Sequence, residues 1–242
     1  MLGIGAFSPL EGFMDRTDYR SVLNKMRLSD GTLWPLPVTL TVNNAASYKK
    51  GDKVALVSTY NDEVSGQIII EDIYPYDKKE EAISSFGTDD LSHPGVAKLQ
   101  DLGDYHIGGK VVVFTEGGYP EVFPQYARPS ETREIFKAKG WKSIVAFQTR
   151  NPMHRSHEYL TKVALEVFDG LFIHPIVGKL KEGDIPAEVR MKCYQVLIDN
   201  YYPSERVLLK VYPMEMRYAG PKEAVLHAII RQNYGCSHII IG

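Results

Sequence analysis

The residues of this chain best suited to chemistry lie in one run, Gln148–His157, which reads Gln-Thr-Arg-Asn-Pro-Met-His-Arg-Ser-His. The run follows an apolar, strand-like segment, 143–147, and precedes a helix-like one. Asn151 is a favoured N-cap residue, and Pro152 suits the first position of a helix. We therefore predict that a helix begins within the run, at Pro152.

Four ionisable side chains gather at this predicted helix start. His154 and His157 are three residues apart, which brings them close together on a helix, and Arg150 and Arg155 accompany them. Because a helix start also presents free N–H groups and a partial positive charge, the run is suited to bind a multiply charged anion. Two other interpretations stay open: histidines that only pack in the helix, and a metal-binding pair whose one nearby carboxylate is Glu158.

Helices and strands alternate through the second half of the chain, which is typical of βαβ units and a parallel sheet. The helix after the run carries apolar residues at helical spacing, which we expect to form its buried face: Met153, Leu160, Ala164 and Val167. The predicted elements are helix 130–139, strand 143–147, helix 152–168, strand 171–177, helix 186–200, strand 206–212, helix 221–233 and strand 238–241.

Ligands of parallel sheets bind beyond the carboxyl ends of the strands. The segments after the predicted strands should therefore converge on one pocket: 148–151, 178–184, 213–220 and whatever follows Gly242. Three of them carry cations, namely Arg150, the pair Lys179 and Lys181, and Arg217. Each of the last two loops alone is compatible with an ordinary charged turn or helix entry, but together the three favour an anion-binding pocket.

The periodic segments are shorter before residue 125, where Gly and Asp separate strand-like runs. We predict a helix at 16–26 and a β-rich domain over 1–125, followed by an α/β domain over 126–242. The predicted strands of the first domain are 36–42, 54–57, 67–70 and 110–114.

Composition narrows the classes of function. The formal net charge is -2 and no long basic run occurs, which argues against a nucleic-acid partner. No apolar stretch approaches the roughly 20 residues that span a bilayer, and Met1 does not begin a signal peptide. The two cysteines, Cys193 and Cys236, have no paired spacing. We expect a cytoplasmic protein with reduced thiols and no membrane partner.

Five segments resemble the signatures of the ATP sulfurylase (sulfate adenylyltransferase) family, and the similarity extends through nearly the whole chain. The histidine pair is shared more loosely with other nucleotidylyltransferases of the α/β class. The segments are Gly5–Met14, Leu33–Val38, His93–Val96, Gln148–His157 and Met216–Ala224.

The resemblance implies both a fold and a reaction. A PUA-like β-rich domain would precede a Rossmann-like, parallel-sheet nucleotidylyltransferase domain. With Mg²⁺, such an enzyme transfers AMP from ATP to sulfate, giving adenosine 5′-phosphosulfate and pyrophosphate, or runs the reverse reaction. The family is commonly homo-oligomeric.

The resemblance also implies roles for individual residues. Arg150 matches the arginine that binds sulfate, and the two histidines match a pair that stabilises the transition state. The catalytic residues implied are Thr149, Arg150, Asn151, His154 and His157. The residues implied to bind ATP or sulfate are Gln148, Thr149, Arg150, Asn151, Arg217 and Gly242.

The implied chemistry agrees with these residue types. Sulfate is fully ionised at neutral pH, so its attacking oxygen has no proton to lose and needs no general base. Catalysis would consist of positioning and charge stabilisation, with the planar fork of Arg150 on sulfate and N–H groups of His154 and His157 on the departing pyrophosphate. Mg²⁺ would be held mainly by phosphates and water, so no protein metal ligand is predicted.

Two departures from the family pattern bear on function. In the family, the glycine at position 242 is followed by an Arg-Asp-His loop that binds both substrates, and several dozen residues usually precede Gly3, so we expect a piece cut at both ends. No Walker-type loop occurs in the sequence. Three alternatives stay open: adenylyl transfer to another acceptor, RNA binding by the first half, and nucleotide binding without catalysis.

Overall fold

The structure, a computed structural model, describes residues 1–59, 62–178 and 183–241. The chain divides into two compact units. The first contains Leu2–Gly117 and Arg217–Ile229, and the second contains Met1, Gly118–Met216 and the residues from Ile230 on.

The described part of the first unit is built on an antiparallel sheet, as the β-rich pattern predicts. The strands are β1 (Gly12–Phe13), β2 (Leu40–Val42), β3 (Lys53–Val57), β4 (Val64–Pro75) and β5 (Tyr105–Val113). They lie in the order β1-β5-β4-β3, and β2 also pairs with β5. The helices are α1 (Arg16–Lys25), α2 (Lys78–Phe86) and α3 (Pro94–Gln100), with a 3-10 turn at Ala45–Ser47.

The second unit contains the predicted parallel sheet. Its described strands are β6 (Ile144–Phe147), β7 (Gly170–Ile173), β8 (Val207–Leu209) and β9 (His238–Ile239). The helices are α4 (Tyr119–Val122), α5 (Pro129–Ala138), α6 (Arg155–Val167), α7 (Ala187–Tyr201) and α8 (Gly220–Asn233), with a 3-10 turn at Ser204–Arg206; α8 has residues in both units.

The strand order of the parallel sheet is β8-β7-β6-β9. When the four strands are numbered along the chain, their order in the sheet is 3-2-1-4, which is the arrangement of half a Rossmann fold. All residues of β6 and β7 are buried, as expected for inner strands of a parallel sheet that is covered on both faces. The order reverses between β6 and β9, so the carboxyl end of β6 is a topological switch point.

The helix start predicted at Pro152 is wrong, because α6 begins at Arg155 with His154 as its N-cap. An N-cap residue offers its carbonyl to the first intrahelical hydrogen bond. The carbonyl of Asn151 instead accepts hydrogen bonds from Thr149 Oγ1 at 2.8 Å and from Tyr194 Oη at 2.7 Å. A tertiary contact therefore keeps three further residues outside the helix.

Four predicted strands are clearly shorter in the structure. Those predicted at 206–212 and 238–241 are limited to β8 and β9, and proline accounts for the other two. The strand predicted at 36–42 is limited to β2, because Pro37 has no N–H to contribute to a ladder. The strand predicted at 171–177 ends at Ile173, close before Pro175, and pairing resumes only as an isolated bridge between Ile176 and Tyr212.

The apolar face predicted for α6 is only partly right: Ala164 is buried and Met153 packs against the core, but the other two residues are exposed. Leu160 and Val167 are 46% and 72% exposed, whereas Thr161, Ala164 and Leu165 are buried. Thr161 is tolerated in this position because its hydroxyl donates to the carbonyl of His157 and shares a hydrogen bond with a tyrosine hydroxyl.

Candidate active site

The run Gln148–His157 lies at the carboxyl end of β6, beside the switch point of the sheet. Backbone hydrogen bonds connect the segments that follow the strands. The N–H of Ile176 donates to the carbonyl of Thr149 at 3.0 Å, and the N–H of Tyr212 donates to the carbonyl of Pro175 at 2.8 Å. The segments after β6, β7 and β8 are therefore neighbours along one edge, where parallel sheets bind their ligands.

The first of these segments, Gln148–Asn151, is a turn closed by its own side chains. Thr149 Oγ1 donates to the carbonyl of Asn151 and accepts from the N–H of Asn151 at 3.1 Å. Gln148 Oε1 is buried and has no hydrogen-bond partner among the described residues. A buried amide oxygen in this state is available to a donor group of a ligand.

The two histidines occupy the N-cap and third positions of α6. The backbone N–H of His154 donates to Nδ1 of His157 at 3.1 Å, and the two ring centroids are 5.3 Å apart. Because Nδ1 accepts a hydrogen bond, the proton of the neutral His157 ring lies on Nε2. His157 is half-buried against Phe147, with ring centroids 5.6 Å apart, and His154 is exposed. The pair therefore offers an oriented N–H donor at a helix start.

This arrangement is unfavourable for the metal-pair interpretation. The Nε2–H form of His157 has no free lone pair for a metal ion, and Glu158 forms an ion pair with Lys162 at 2.5 Å. Within the ranges that the structure describes, no group of three or more His, Cys, Asp or Glu side chains is placed to hold a metal ion.

The electrostatics of this edge favour an anion. Arg150 is half-buried in the turn and Arg155 is exposed at the first position of α6. The helix start adds a partial positive charge, while Glu158 in the first turn is paired with Lys162. Two guanidinium groups and the imidazoles thus lie where an anion would approach.

Arg217 is placed in the other compact unit, so its role in the same pocket stays a prediction. Its Nη1 donates to the carbonyl of Pro37 at 2.8 Å, and its N–H donates to Glu223 Oε1 at 2.6 Å. Tyr218, the next residue, has a positive φ of 62°, and its carbonyl contacts His93 Nε2 at 3.1 Å. Three of the segments that resemble family signatures therefore meet in the first unit.

Other predicted contributors lie outside the described residues. These are Lys179 and Lys181 of the second loop and the terminal Gly242. Of the second loop, Gly178 is described: a Cβ atom there would lie 2.4 Å from the carbonyl oxygen of Met214. Glycine is thus required where the segments after β7 and β8 pass each other.

Two residues next to the turn were missed in the sequence analysis. Arg190 and Tyr194 are 0% exposed on α7, and Tyr194 contacts the turn directly. The signal was present, because Arg190 and Tyr194 share a helical stripe with the buried Ile198. An arginine on a buried stripe indicates specific hydrogen-bond partners.

Comparison with known proteins gives matches to both halves of the chain. Residues 124–242 match the family model ATP-sulfurylase, and residues 1–116 match a PUA-like domain. A sulfate adenylyltransferase of Desulforamulus reducens is 56% identical over 245 residues, covering 100% of this chain and 63% of the relative. One of Desulforudis audaxviator is 52% identical over 250 residues, covering 100% of this chain and 60% of the relative.

The similar solved structures include a hexameric APS kinase from Thiobacillus denitrificans. It is 28% identical to this chain with a TM-score of 0.76, over 100% of this chain and 44% of that one. The chain thus spans 63% and 60% of the length of the two curated relatives. The predicted combination of a PUA-like domain and a parallel-sheet nucleotide-binding domain is confirmed.

Proposed function

Because this chain belongs to the ATP sulfurylase family, we propose that it carries sulfate adenylyltransferase activity. The reaction transfers the adenylyl group of ATP to sulfate, giving adenosine 5′-phosphosulfate and pyrophosphate, or runs in reverse. The observation that supports this most directly is the turn Gln148–Asn151 at the switch point, with Arg150 in it and an oriented histidine pair behind it.

The proposed roles follow from geometry and charge. Arg150 binds sulfate bidentately, and Gln148, Thr149 and Asn151 bind the substrates through the turn. His154 and His157 donate N–H groups to the pyrophosphate that leaves the α-phosphorus. Each such donor contributes most in the transition state, where charge develops on the leaving oxygens. Arg217 and Gly242 are proposed as further substrate-binding residues.

Mg²⁺ is proposed to enter with ATP. No acidic or histidine cluster among the described residues is placed to hold a metal ion, and Mg²⁺ commonly binds through substrate phosphates and water. Its contribution would be to neutralise charge on the phosphates, while Arg150 and the histidines orient them.

Sulfate-dependent release of pyrophosphate from MgATP tests the proposal. Arg150→Ala should lower kcat/KM for sulfate by about 100-fold or more, because the planar fork and its charge are both lost. Arg128→Ala is the control, since it removes an exposed guanidinium that is paired with Glu131 at the start of α5. If Arg150→Ala kept the full sulfate-dependent rate, the assignment of sulfate as acceptor would be wrong.

The same measurements separate the alternatives. ATP binding in calorimetry without pyrophosphate release would identify a nucleotide-binding protein without catalysis. Release that requires a different acceptor would identify another adenylyltransferase. The sequence contains no Gly-x4-Gly-Lys-Ser/Thr motif, so the likeness to a protein named as a kinase gives no support to phosphoryl transfer here.

Three further properties are proposed with this function. A domain division near residue 125 is proposed, and it is supported by the two family models, which end at 116 and begin at 124. Homo-oligomer formation is supported by the hexameric relative and by exposed apolar side chains on α6 and α7, among them Tyr159, Val167 and Val196. A cytoplasmic location is proposed because it suits the substrates.

None of the described helices has the length and apolarity to cross a membrane.

A further inference from the structure

We propose that Arg190 and Tyr194 on α7 are positioning residues that brace the turn Gln148–Asn151. Both are fully buried and lie four residues apart, so they share one face of the helix. The consequence for catalysis rests on the proposed function, whereas the brace itself can be measured without any substrate.

Tyr194 forms the direct contact of the brace. Its hydroxyl donates to the carbonyl of Asn151 at 2.7 Å, and that carbonyl also accepts the hydroxyl of Thr149. Together the two bonds occupy the carbonyl that a helix start at Pro152 would need as an acceptor, and the bond from Tyr194 is the one that comes from outside the turn. Tyr194 therefore fixes the end of the turn and also moves the start of α6 to a later residue, so that His154 becomes the N-cap.

Arg190 forms the indirect contact. Its Nη1 donates to the carbonyl of Ile176 at 2.7 Å and its Nε donates to the carbonyl of Ile185 at 2.9 Å. The N–H of the same Ile176 donates to the carbonyl of Thr149. Arg190 thus binds the peptide group of Ile176, which in turn binds Thr149 at the beginning of the turn. Arg150 lies between Thr149 and Asn151, the two residues that the brace fixes.

The charge of Arg190 also acts on the hydroxyl of Tyr194. Burial raises the pKa of the Tyr194 hydroxyl, while the positive charge of the buried Arg190 acts in the opposite direction. A phenol that stays protonated remains the donor to the carbonyl of Asn151.

A brace of this kind matters because the proposed catalysis consists mainly of positioning. A displacement of the reacting groups by about 1 Å can cost on the order of 100-fold in rate. Arg150 has no secondary structure of its own, since β6 ends at Phe147 and α6 begins at Arg155. The two points that α7 holds, Thr149 and Asn151, are its immediate neighbours in the chain.

The matched variants Tyr194→Phe and Tyr202→Phe test the brace. Tyr202 is also buried at the end of α7, and its hydroxyl shares a hydrogen bond of 2.6 Å with Thr161 Oγ1, away from the turn. Each variant removes one buried hydroxyl and nothing else. In the full chain, amide hydrogen exchange of residues 149–154 should be about tenfold faster in Tyr194→Phe and unchanged in Tyr202→Phe.

The catalytic part is tested with the same proteins at equal temperature margins below unfolding. Tyr194→Phe should lower kcat for sulfate-dependent pyrophosphate release by about tenfold relative to Tyr202→Phe. Arg190→Lys should restore part of the loss seen in Arg190→Gln, because an ammonium can still donate to one of the two carbonyls. A purely structural role would lower the unfolding temperature without this split between variants.

Each result decides the inference. Equal exchange in the two tyrosine variants would overturn the brace. Faster exchange in Tyr194→Phe with an unchanged kcat would overturn its role in positioning. If the unmodified chain releases no sulfate-dependent pyrophosphate, the proposed function fails, and with it the catalytic role, while the brace still stands or falls by the exchange comparison.

Discussion

The backbone N–H of His154 donates a hydrogen bond to Nδ1 of His157, three residues further along the same helix start. One ring nitrogen of His157 is therefore committed to the protein, and the other is left to donate. This division separates the two nitrogens: Nδ1 caps α6, and Nε2 is the donor proposed for the site.

The two tasks can be separated by substitution of His157. In His157→Asn the amide oxygen can replace Nδ1, so the cap is kept and the Nε2 donor is lost. In His157→Gln the amide nitrogen can replace Nε2, so the donor is kept and the cap is weakened. We expect kcat to fall about 100-fold in His157→Asn and less than about tenfold in His157→Gln.

Unfolding measurements complete this comparison. His157→Gln should be less stable by about 1 kcal/mol, as is typical for a lost cap, and His157→Asn should be close to the unmodified protein. The reverse ranking in both measurements would show that Nδ1, not Nε2, serves the site.

Thr161 and Tyr202 join α6 to the end of α7 through a buried hydrogen bond. Thr161→Val and Tyr202→Phe should each lower the free energy of unfolding by about 1–2 kcal/mol, because each removes the buried hydrogen bond between the two hydroxyls. The double variant should cost clearly less than the sum, since it removes both partners. Urea denaturation provides the measurement, and additive losses would contradict a direct coupling.

Glu223 gives a prediction for the pH dependence of stability. Burial alone would raise its pKa, but the imidazole of His227, 3.5 Å away, and hydrogen bonds from the N–H groups of Arg217 and Ala219 outweigh burial, so the pKa lies below its ordinary value of 4.5. The carboxylate therefore stabilises the fold fully above about pH 4.5. This contribution is lost as the pH falls through the lowered pKa.

Glu223→Gln should accordingly be less stable than the unmodified chain at pH 7, by about 1–2 kcal/mol. The difference should shrink as the pH falls below 4.5 and through the lowered pKa, where the native carboxyl becomes protonated. Urea denaturation across this range checks the sign, and Glu166→Gln, an exposed change of equal charge, is the control. A difference that grows on acidification would contradict the assigned hydrogen bonds.

The two cysteines should differ in reactivity. Cys193 is exposed on α7, whereas Cys236 is buried, and burial raises the pKa of the Cys236 thiol to about 12. Alkylation of the native protein at pH 8 should therefore modify one thiol, and the second should react only after unfolding. Cys193→Ser should abolish the fast reaction; rapid native labelling that persisted in this variant would place Cys236 at the surface.

The parallel sheet was predictable because its inner strands are continuous apolar runs between amphipathic segments. The run Gln148–His157 was also predictable, because its residues are contiguous in sequence and their types alone indicate an anion site. The start of α6 was not, because it depends on Tyr194, 43 residues away from Asn151 in sequence. The buried face of α6 was partly mispredicted because Thr161 is satisfied by partners that sequence periodicity cannot show.

Two links along the edge of the sheet that presents the turn are formed between peptide groups, from Ile176 to Thr149 and from Tyr212 to Pro175. Substitution of the side chains of these four residues does not remove the groups that form the links, so an alanine scan of these positions does not test them. The side chains at these positions can therefore change while the distance between the neighbouring segments stays the same. Only a change of the backbone itself, such as an amide-to-ester exchange at Ile176, would measure how much these peptide hydrogen bonds contribute to the geometry of the site.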